Sequence, residues 1–247
     1  MNEFPSLQLL AILLTFFLGG IVKGVTGMGL PTVAMGVLGA FMPPVTAASL
    51  LIVPSFVTNV WQLIAGPSFA ALMARLYFML LAIVVGTIAG SWLLTSGSTE
   101  WTTRALGCAL VIYAGFSLFA RQLSVPAHME RRLSPFIGLL TGLVTGATGV
   151  FVIPAVPYIQ ALGLSKDDLV QALGLSFTTS TLALTIGLSL GGAFHSANIV
   201  VSAVAVIPAL LGMWSGSWIR SRLSPVAFRR GFFILLLLLG IDLAIRA

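Results

Sequence analysis

Charge is what this sequence holds least of. Twelve basic and six acidic residues make up 7% of its 247 positions, whereas soluble domains carry about 25%. With 58% hydrophobic residues and a mean hydropathy of +1.10, the chain cannot cover itself with polar surface. That excludes an ordinary water-soluble enzyme and a disordered tail. Cysteine is nearly missing too. Cys108 stands alone, so no internal disulfide forms, and its apolar surroundings assign it to packing. Groups that perform chemistry are equally scarce. The two histidines, His128 and His195, and the carboxylates Glu3, Glu100, Glu130, Asp167 and Asp168 fall at ends or expected loops. Asp242 precedes Arg246 by four residues, the spacing of an ion pair along a helix. No zinc-protease His-Glu-x-x-His run, phosphate-binding loop or nucleophile elbow occurs. Catalysis, ATP-driven pumping by this chain alone, a metal centre and a cofactor are therefore not expected. The net charge of +6 marks no nucleic-acid partner, because the arginines are scattered as membrane loops scatter them.

Apolar length is what the sequence has in abundance. Stretches near 20 residues suit membrane-crossing helices, whereas outer-membrane strands are shorter and alternate. Hydropathy places them at residues 7–25, 30–42, 44–66, 72–95 and 102–120, then 136–148, 150–162, 168–194, 198–219 and 226–246. The expected class is an all-α polytopic membrane protein in contact with lipid. The start, Met1-Asn2-Glu3-Phe4-Pro5, lacks a basic lead-in, so the first stretch reads as retained. Pro43-Pro44 precedes one helix, and Ser165-Lys166-Asp167-Asp168 has the spacing of a capping box. Ser224-Pro225 supplies an N-cap and a first-turn proline. A polar linker over 121–135 separates a membrane repeat at 1–120 from a second at 136–247.

The halves resemble each other in order. Gly24-Val25-Thr26-Gly27 matches Gly146-Ala147-Thr148-Gly149, and Ser55 to Asn59 matches Ser176 to Ser180. Gly86 to Trp92 matches Gly212 to Trp218. These matches at nearly constant offset indicate duplication, and the arginines orient it. If 7–42 and 136–162 each fold as a broken or re-entrant hairpin, one side receives Arg75, Arg121, Arg131, Arg132, Lys166, Arg220, Arg222, Arg229 and Arg230. The other receives Arg104 and Arg246. The positive-inside rule then makes the first side cytoplasmic. Each half crosses an odd number of times, so the repeats are expected to be inverted, as in many secondary transporters. Each would hold a broken helix or hairpin plus three membrane helices, with both termini outside.

Lys23 sits in an otherwise uncharged run just before the first predicted break. A lysine at mid-membrane costs about 2.5–3.5 kcal/mol on insertion scales. Two readings stay open: it snorkels or bonds broken-helix carbonyls, or it is a fixed positive charge for an anion. The Thr26-Gly27 and Thr148-Gly149 breaks are expected to line a cavity, since unwound backbone at membrane depth must be buried in protein or face water. Gly27, Gly29 and Gly149 let backbone approach a ligand, and restarted helices would aim N–H groups at it. Close helix packing is the alternative reading for these glycines, and the favoured one for Gly86-xxx-Gly90 and Gly212-xxx-Gly216. Ser55, Thr58 and Asn59, with Ser176, Thr179 and Ser180, make a recurring polar stripe. It faces either other helices or the same cavity.

Lys23-Gly24-Val25-Thr26-Gly27-Met28-Gly29-Leu30-Pro31, Pro43-Pro44, Thr58-Asn59 and the stretch 161–178 carry a resemblance over nearly the whole chain. The sequence resembles the TauE/SafE sulfite exporter family of membrane permeases. The resemblance implies eight helices in two repeats and a secondary carrier for sulfite, sulfonates or related organic anions in the bacterial inner membrane. The expected function is export of such an anion by alternating access. The residues expected to bind it are Lys23, Thr26, Gly27, Gly29, Ser55, Thr58, Asn59, Thr148, Gly149, Ser176, Thr179 and Ser180. A passive anion channel and a carboxylate uptake permease remain as alternatives. The oligomeric state stays open, a homodimer included.

Overall fold

The computed structural model describes residues 6–119, 124–193, 196–220, 222 and 225–246. Glu3, Arg121, His195, Ser224 and both chain ends lie outside the described residues. Ten helices and no strand occur among the described residues: α1 (Ser6–Thr26), α2 (Leu30–Gly39), α3 (Pro44–Ile64), α4 (Phe69–Ser96), α5 (Thr99–Phe119), α6 (Ala127–Thr148), α7 (Ala155–Gln160), α8 (Lys166–Leu190), α9 (Ser196–Arg220) and α10 (Pro225–Arg246). Each expected apolar stretch carries one helix. α1, α3, α4, α5, α8 and α9 are long and apolar enough to cross a membrane, so the chain is a polytopic helical membrane protein. Large apolar side chains point outward all round, Trp61, Trp92, Trp218, Leu190 and Leu235 among them, as a lipid solvent requires. Cys108, expected in packing, is also exposed. It sits on the outward face of α5, one position from Gly107, which does pack against α10.

Local chemistry explains the ends. Pro43 caps α3 with Pro44 in its first turn. Ser165 Oγ accepts the Asp168 N–H at 3.2 Å and caps α8. Asp242 and Arg246 form the expected ion pair. α6 begins at Ala127, inside the stretch expected as a linker, and Pro135 lies within it. A polar cluster holds this start. Glu130 takes two bonds from Arg75 of α4, at 2.7 and 2.9 Å. The Tyr158 hydroxyl pairs with Ser134 at 2.7 Å and reaches the Glu130 carbonyl at 3.1 Å. Hydropathy reads such a polar turn as loop.

The two breaks share a turn and then diverge. Thr26 Oγ1 lies 2.8 Å from the Val22 carbonyl and 2.7 Å from that of Met28, while Gly27 and Gly29 have φ of 79° and 106°, the left-handed region that suits glycine. In the second half Thr148 Oγ1 bonds the Val144 carbonyl at 2.7 Å, and Gly149 has φ 70°. After Gly29 a ten-residue helix restarts at once. After Gly149 the chain is non-helical as far as Pro154, and α7 has six residues. Pro154 at its start and Pro157 within it remove amide donors. Hydropathy predicts two arms of about 13 residues here. The structure gives instead one arm of 22 residues, about 33 Å long at 1.5 Å per residue, and one of six.

Helices pair across the halves. α1 packs on α9, and α4 packs on α6, through glycines at backbone contact. A Cβ on Gly24 would lie 2.2 Å from the Met213 carbonyl oxygen, and one on Gly212 would lie 2.1 Å from that of Phe17. In the other seam, Cβ atoms on Gly146 and Gly86 would lie 2.3 and 2.5 Å from the carbonyl oxygens of Thr87 and Leu139. Residue numbers rise together along both seams, so each pair is parallel. α3 and α8 run antiparallel: Gly66 meets Gln171, Gln62 meets Gly174, and Asn59 meets Thr181. α5 and α10 are antiparallel too, with Gly107 against Ala244 and Tyr113 stacked edge-on to Phe233.

Candidate anion-binding site

Lys23 lies in the last turn of α1 and is 2% exposed. Its Nζ donates to Thr58 Oγ1 at 3.0 Å and to Asn59 Oδ1, both on α3. Thr58 Oγ1 in turn bonds the Pro54 carbonyl at 2.8 Å. Asn59 Nδ2 reaches Thr181 Oγ1 of α8 at 3.3 Å, and that hydroxyl donates to the Phe177 carbonyl at 2.7 Å. Gln62, one turn beyond Thr58 and Asn59, donates from Nε2 to the Gly27 carbonyl at 2.6 Å. α3 therefore grips the end of α1 twice, at Lys23 and at the apex of the break. Every acceptor around Lys23 is neutral.

The expected residues divide into three sets. Lys23, Thr58 and Asn59 are joined directly, and Gly27 is joined to the same helix face through Gln62. Ser55, Ser176 and Ser180 lie on α3 and α8 with side-chain oxygens fully buried and without a hydrogen-bond partner among the described residues. They are hydroxyls with an unused donor and acceptor. Thr26, Thr148 and Thr179 bond backbone carbonyls of their own helices, so their protons are engaged. Gly29 lies against Val22, and Gly149 lies against Met35 of α2. No hydrogen bond links the Thr148-Gly149 tip to the Lys23 cluster among the described residues. α7 has only six residues and follows Pro154, so no long helix restarts after the second break.

Sequence reasoning missed Gln62 and Thr181. Gln62 continues the stripe of Ser55, Thr58 and Asn59 by three or four residues and was legible. Thr181 was not, because Thr178 to Thr181 are consecutive polar residues and periodicity selects none of them. A cavity of about 270 Å³ opens elsewhere, between α5, α6 and α7, with apolar walls that include Ile112, Phe116, Leu133 and Ile137. It contains none of the expected site residues. Among the described residues no cluster of His, Cys, Asp or Glu could hold a metal ion.

Lys23 is thus a buried lysine whose hydrogen-bond partners are neutral oxygens, at the end of a helix broken at glycine. The family model for the sulfite exporter TauE/SafE matches residues 12–243. The chain belongs to the TauE/SafE sulfite exporter family. A probable sulfite/organosulfonate exporter TauE from Cupriavidus necator is 28% identical over 240 residues, covering 93% of this chain and 91% of the relative. No solved structure matches the chain significantly. Family membership agrees with the motifs at Lys23 to Pro31 and at 161–178, and it makes transport across a membrane the family-level activity.

Proposed function

We propose that this TauE/SafE protein is a secondary carrier exporting sulfite, organosulfonates or related small organic anions across the bacterial inner membrane, and that it catalyses no reaction. The observation that carries this reading is Lys23, a buried lysine whose hydrogen-bond partners, Thr58 and Asn59, are both uncharged. Such a group lacks a counter-charge and one acceptor, and a monoanionic oxyanion supplies both. The unpartnered hydroxyls of Ser55, Ser176 and Ser180 are suited to donate to its remaining oxygens. Neutral donors with a single cation hold an anion without trapping it, as a carrier must.

The architecture supports alternating access as the mode of transport. Equivalent helices of the two halves, α3 with α8 and α5 with α10, meet antiparallel. Together with the basic-residue bias, this supports inverted repeats with both termini periplasmic. The Lys23 cluster lies where α1, α3 and α8 converge, so small shifts there would open it to either side.

The test is ligand-induced thermal stabilisation of the purified protein against sulfite, sulfate, thiosulfate, isethionate, sulfoacetate and simple carboxylates. Stabilisation by sulfite or a sulfonate that is lost in Lys23→Met supports the reading. Equal stabilisation of Lys23→Met and wild type would remove Lys23 from the site, and stabilisation by carboxylates alone would change the substrate class.

A further inference from the structure

Lys23 has neutral hydrogen-bond partners, and among the described residues no carboxylate forms an ion pair with it. α1 carries no other titratable residue, and α2 and α3 carry none. On α9 the only charge is Arg220, about one turn past Ser217, which is level with Gly24. α10 brings Arg229 and Arg230 near its start, and Asp242 is paired with Arg246 at its far end. On α8, beyond Thr181, charge appears only at Lys166, Asp167 and Asp168 in the first turn. Tyr113 of α5 reaches α1's turn through a contact of its hydroxyl with the Met28 sulfur at 3.4 Å. Nothing in this surround neutralises an ammonium once an anion leaves.

We propose that Lys23 couples transport to protons, so that one proton crosses with each monoanion. This rests on the reading of Lys23 as the anion's site. With substrate bound, the ammonium and the anion form a neutral pair that can change sides. When the anion leaves, an Nζ–H bond breaks, the proton passes to water on the side of release, and the carrier returns with a neutral amine. The next anion enters with a proton taken from water on the other side. Geometry links the proton to motion. Lys23 is on α1, whereas both its partners are on α3, and charge-assisted hydrogen bonds are about twice as strong as neutral ones. The ammonium therefore clamps α1 to α3, and losing the proton loosens that clamp when the empty carrier must reorient.

The experiment uses proteoliposomes loaded with a pH-reporting dye and given an inward gradient of isethionate, a sulfonate that stays a monoanion across the working pH range. Wild type should acidify the lumen by one proton per anion, at a rate indifferent to a potassium–valinomycin potential. Lys23→Arg keeps a cation that cannot deprotonate. Whatever exchange rate this variant keeps, its ratio of net uptake to anion exchange should fall by about 60- to 300-fold relative to wild type, the mid-membrane insertion cost of a cation converted at tenfold per 1.4 kcal/mol. Uptake by wild type that follows the potential and moves no protons would overturn the coupling and leave the binding site standing. Proton-coupled net uptake by Lys23→Arg would overturn it as well. Failure of isethionate, sulfite and sulfoacetate to stabilise the purified protein, or undiminished stabilisation in Lys23→Met, would refute the site reading beneath it.

Discussion

Replacing Gly24 by alanine probes the packing of α1 on α9 with a single methyl. Its Cβ would stand 2.2 Å from the Met213 carbonyl oxygen, 2.8 Å from the Ser217 nitrogen and 2.9 Å from the Gly216 Cα. All three are backbone atoms, so no side chain can rotate away and the helices must separate. Overpacking of this kind costs about 1–3 kcal/mol, and rigid partners put Gly24→Ala at the upper end. Alanine also gains about 0.8–1 kcal/mol of helix propensity over glycine. Gly115 of α5 isolates that gain, because a Cβ there meets nothing within 4 Å. The expected gap between Gly24→Ala and Gly115→Ala is then about 2–3 kcal/mol, with Gly115→Ala level with or above wild type. Gly146→Ala, whose Cβ would lie 2.3 Å from the Thr87 carbonyl in the α4–α6 seam, should fall with Gly24→Ala. Unfolding in mixed micelles with rising dodecyl sulfate, followed by tryptophan fluorescence, reads the difference. Coincident midpoints for Gly24→Ala, Gly146→Ala and Gly115→Ala would refute the claim that these seams are closed at backbone contact.

Gln62→Leu should destabilise the fold by about 0.5–1.5 kcal/mol, the net worth of one hydrogen bond, because it strips the part-buried Gly27 carbonyl of its donor; the same micelle titration measures it, and an unchanged midpoint would mean that water replaces the amide. Ser176→Ala and Ser180→Ala remove hydroxyls that have no hydrogen-bond partner among the described residues, so folding should be unaffected. Anion affinity measured by thermal shift should fall by about two- to twelvefold, one net hydrogen bond of 0.5–1.5 kcal/mol, and unchanged affinity would take these serines out of the site. In a Cys108→Ser background, Glu100→Cys should label with an impermeant maleimide in intact spheroplasts and Lys166→Cys only after lysis. The reverse pattern would overturn the assigned orientation.

The sequence disclosed the elements more fully than their contacts, for a physical reason. A bilayer demands a fixed apolar length, so all ten helices announce themselves as runs. The first turns of α6 escaped because their stability comes from Arg75, Glu130, Ser134 and Tyr158, residues distant in sequence whose polarity locally imitates a loop. The brevity of α7 escaped because Phe151 to Ile159 is as apolar as a helix arm while its prolines remove donors. Gly86-xxx-Gly90 and Gly212-xxx-Gly216 were readable as packing surfaces. Nothing in a one-dimensional pattern told that their partners would be α6 and α1. Lys23 and the stripe were separately visible, and their meeting was not, because Lys23 and Thr58 are 35 positions apart in the sequence.

The duplication makes the cluster's asymmetry informative. Aligning Gly24 with Gly146 sets Lys23 opposite Thr145, and aligning Ser55 with Ser176 sets Asn59 opposite Ser180. Thr145 is buried and turns its hydroxyl to the Val150 carbonyl at 3.3 Å, within its own break, while Ser180 is left without a partner. The scaffold is doubled and the charge is not. With a single cation, binding one monoanion brings the site to zero net charge, which is the condition for moving it through a low-dielectric interior. Under the proposed function, a lysine at 23 with no counterpart at 145 suits the chain to carrying one small anion at a time.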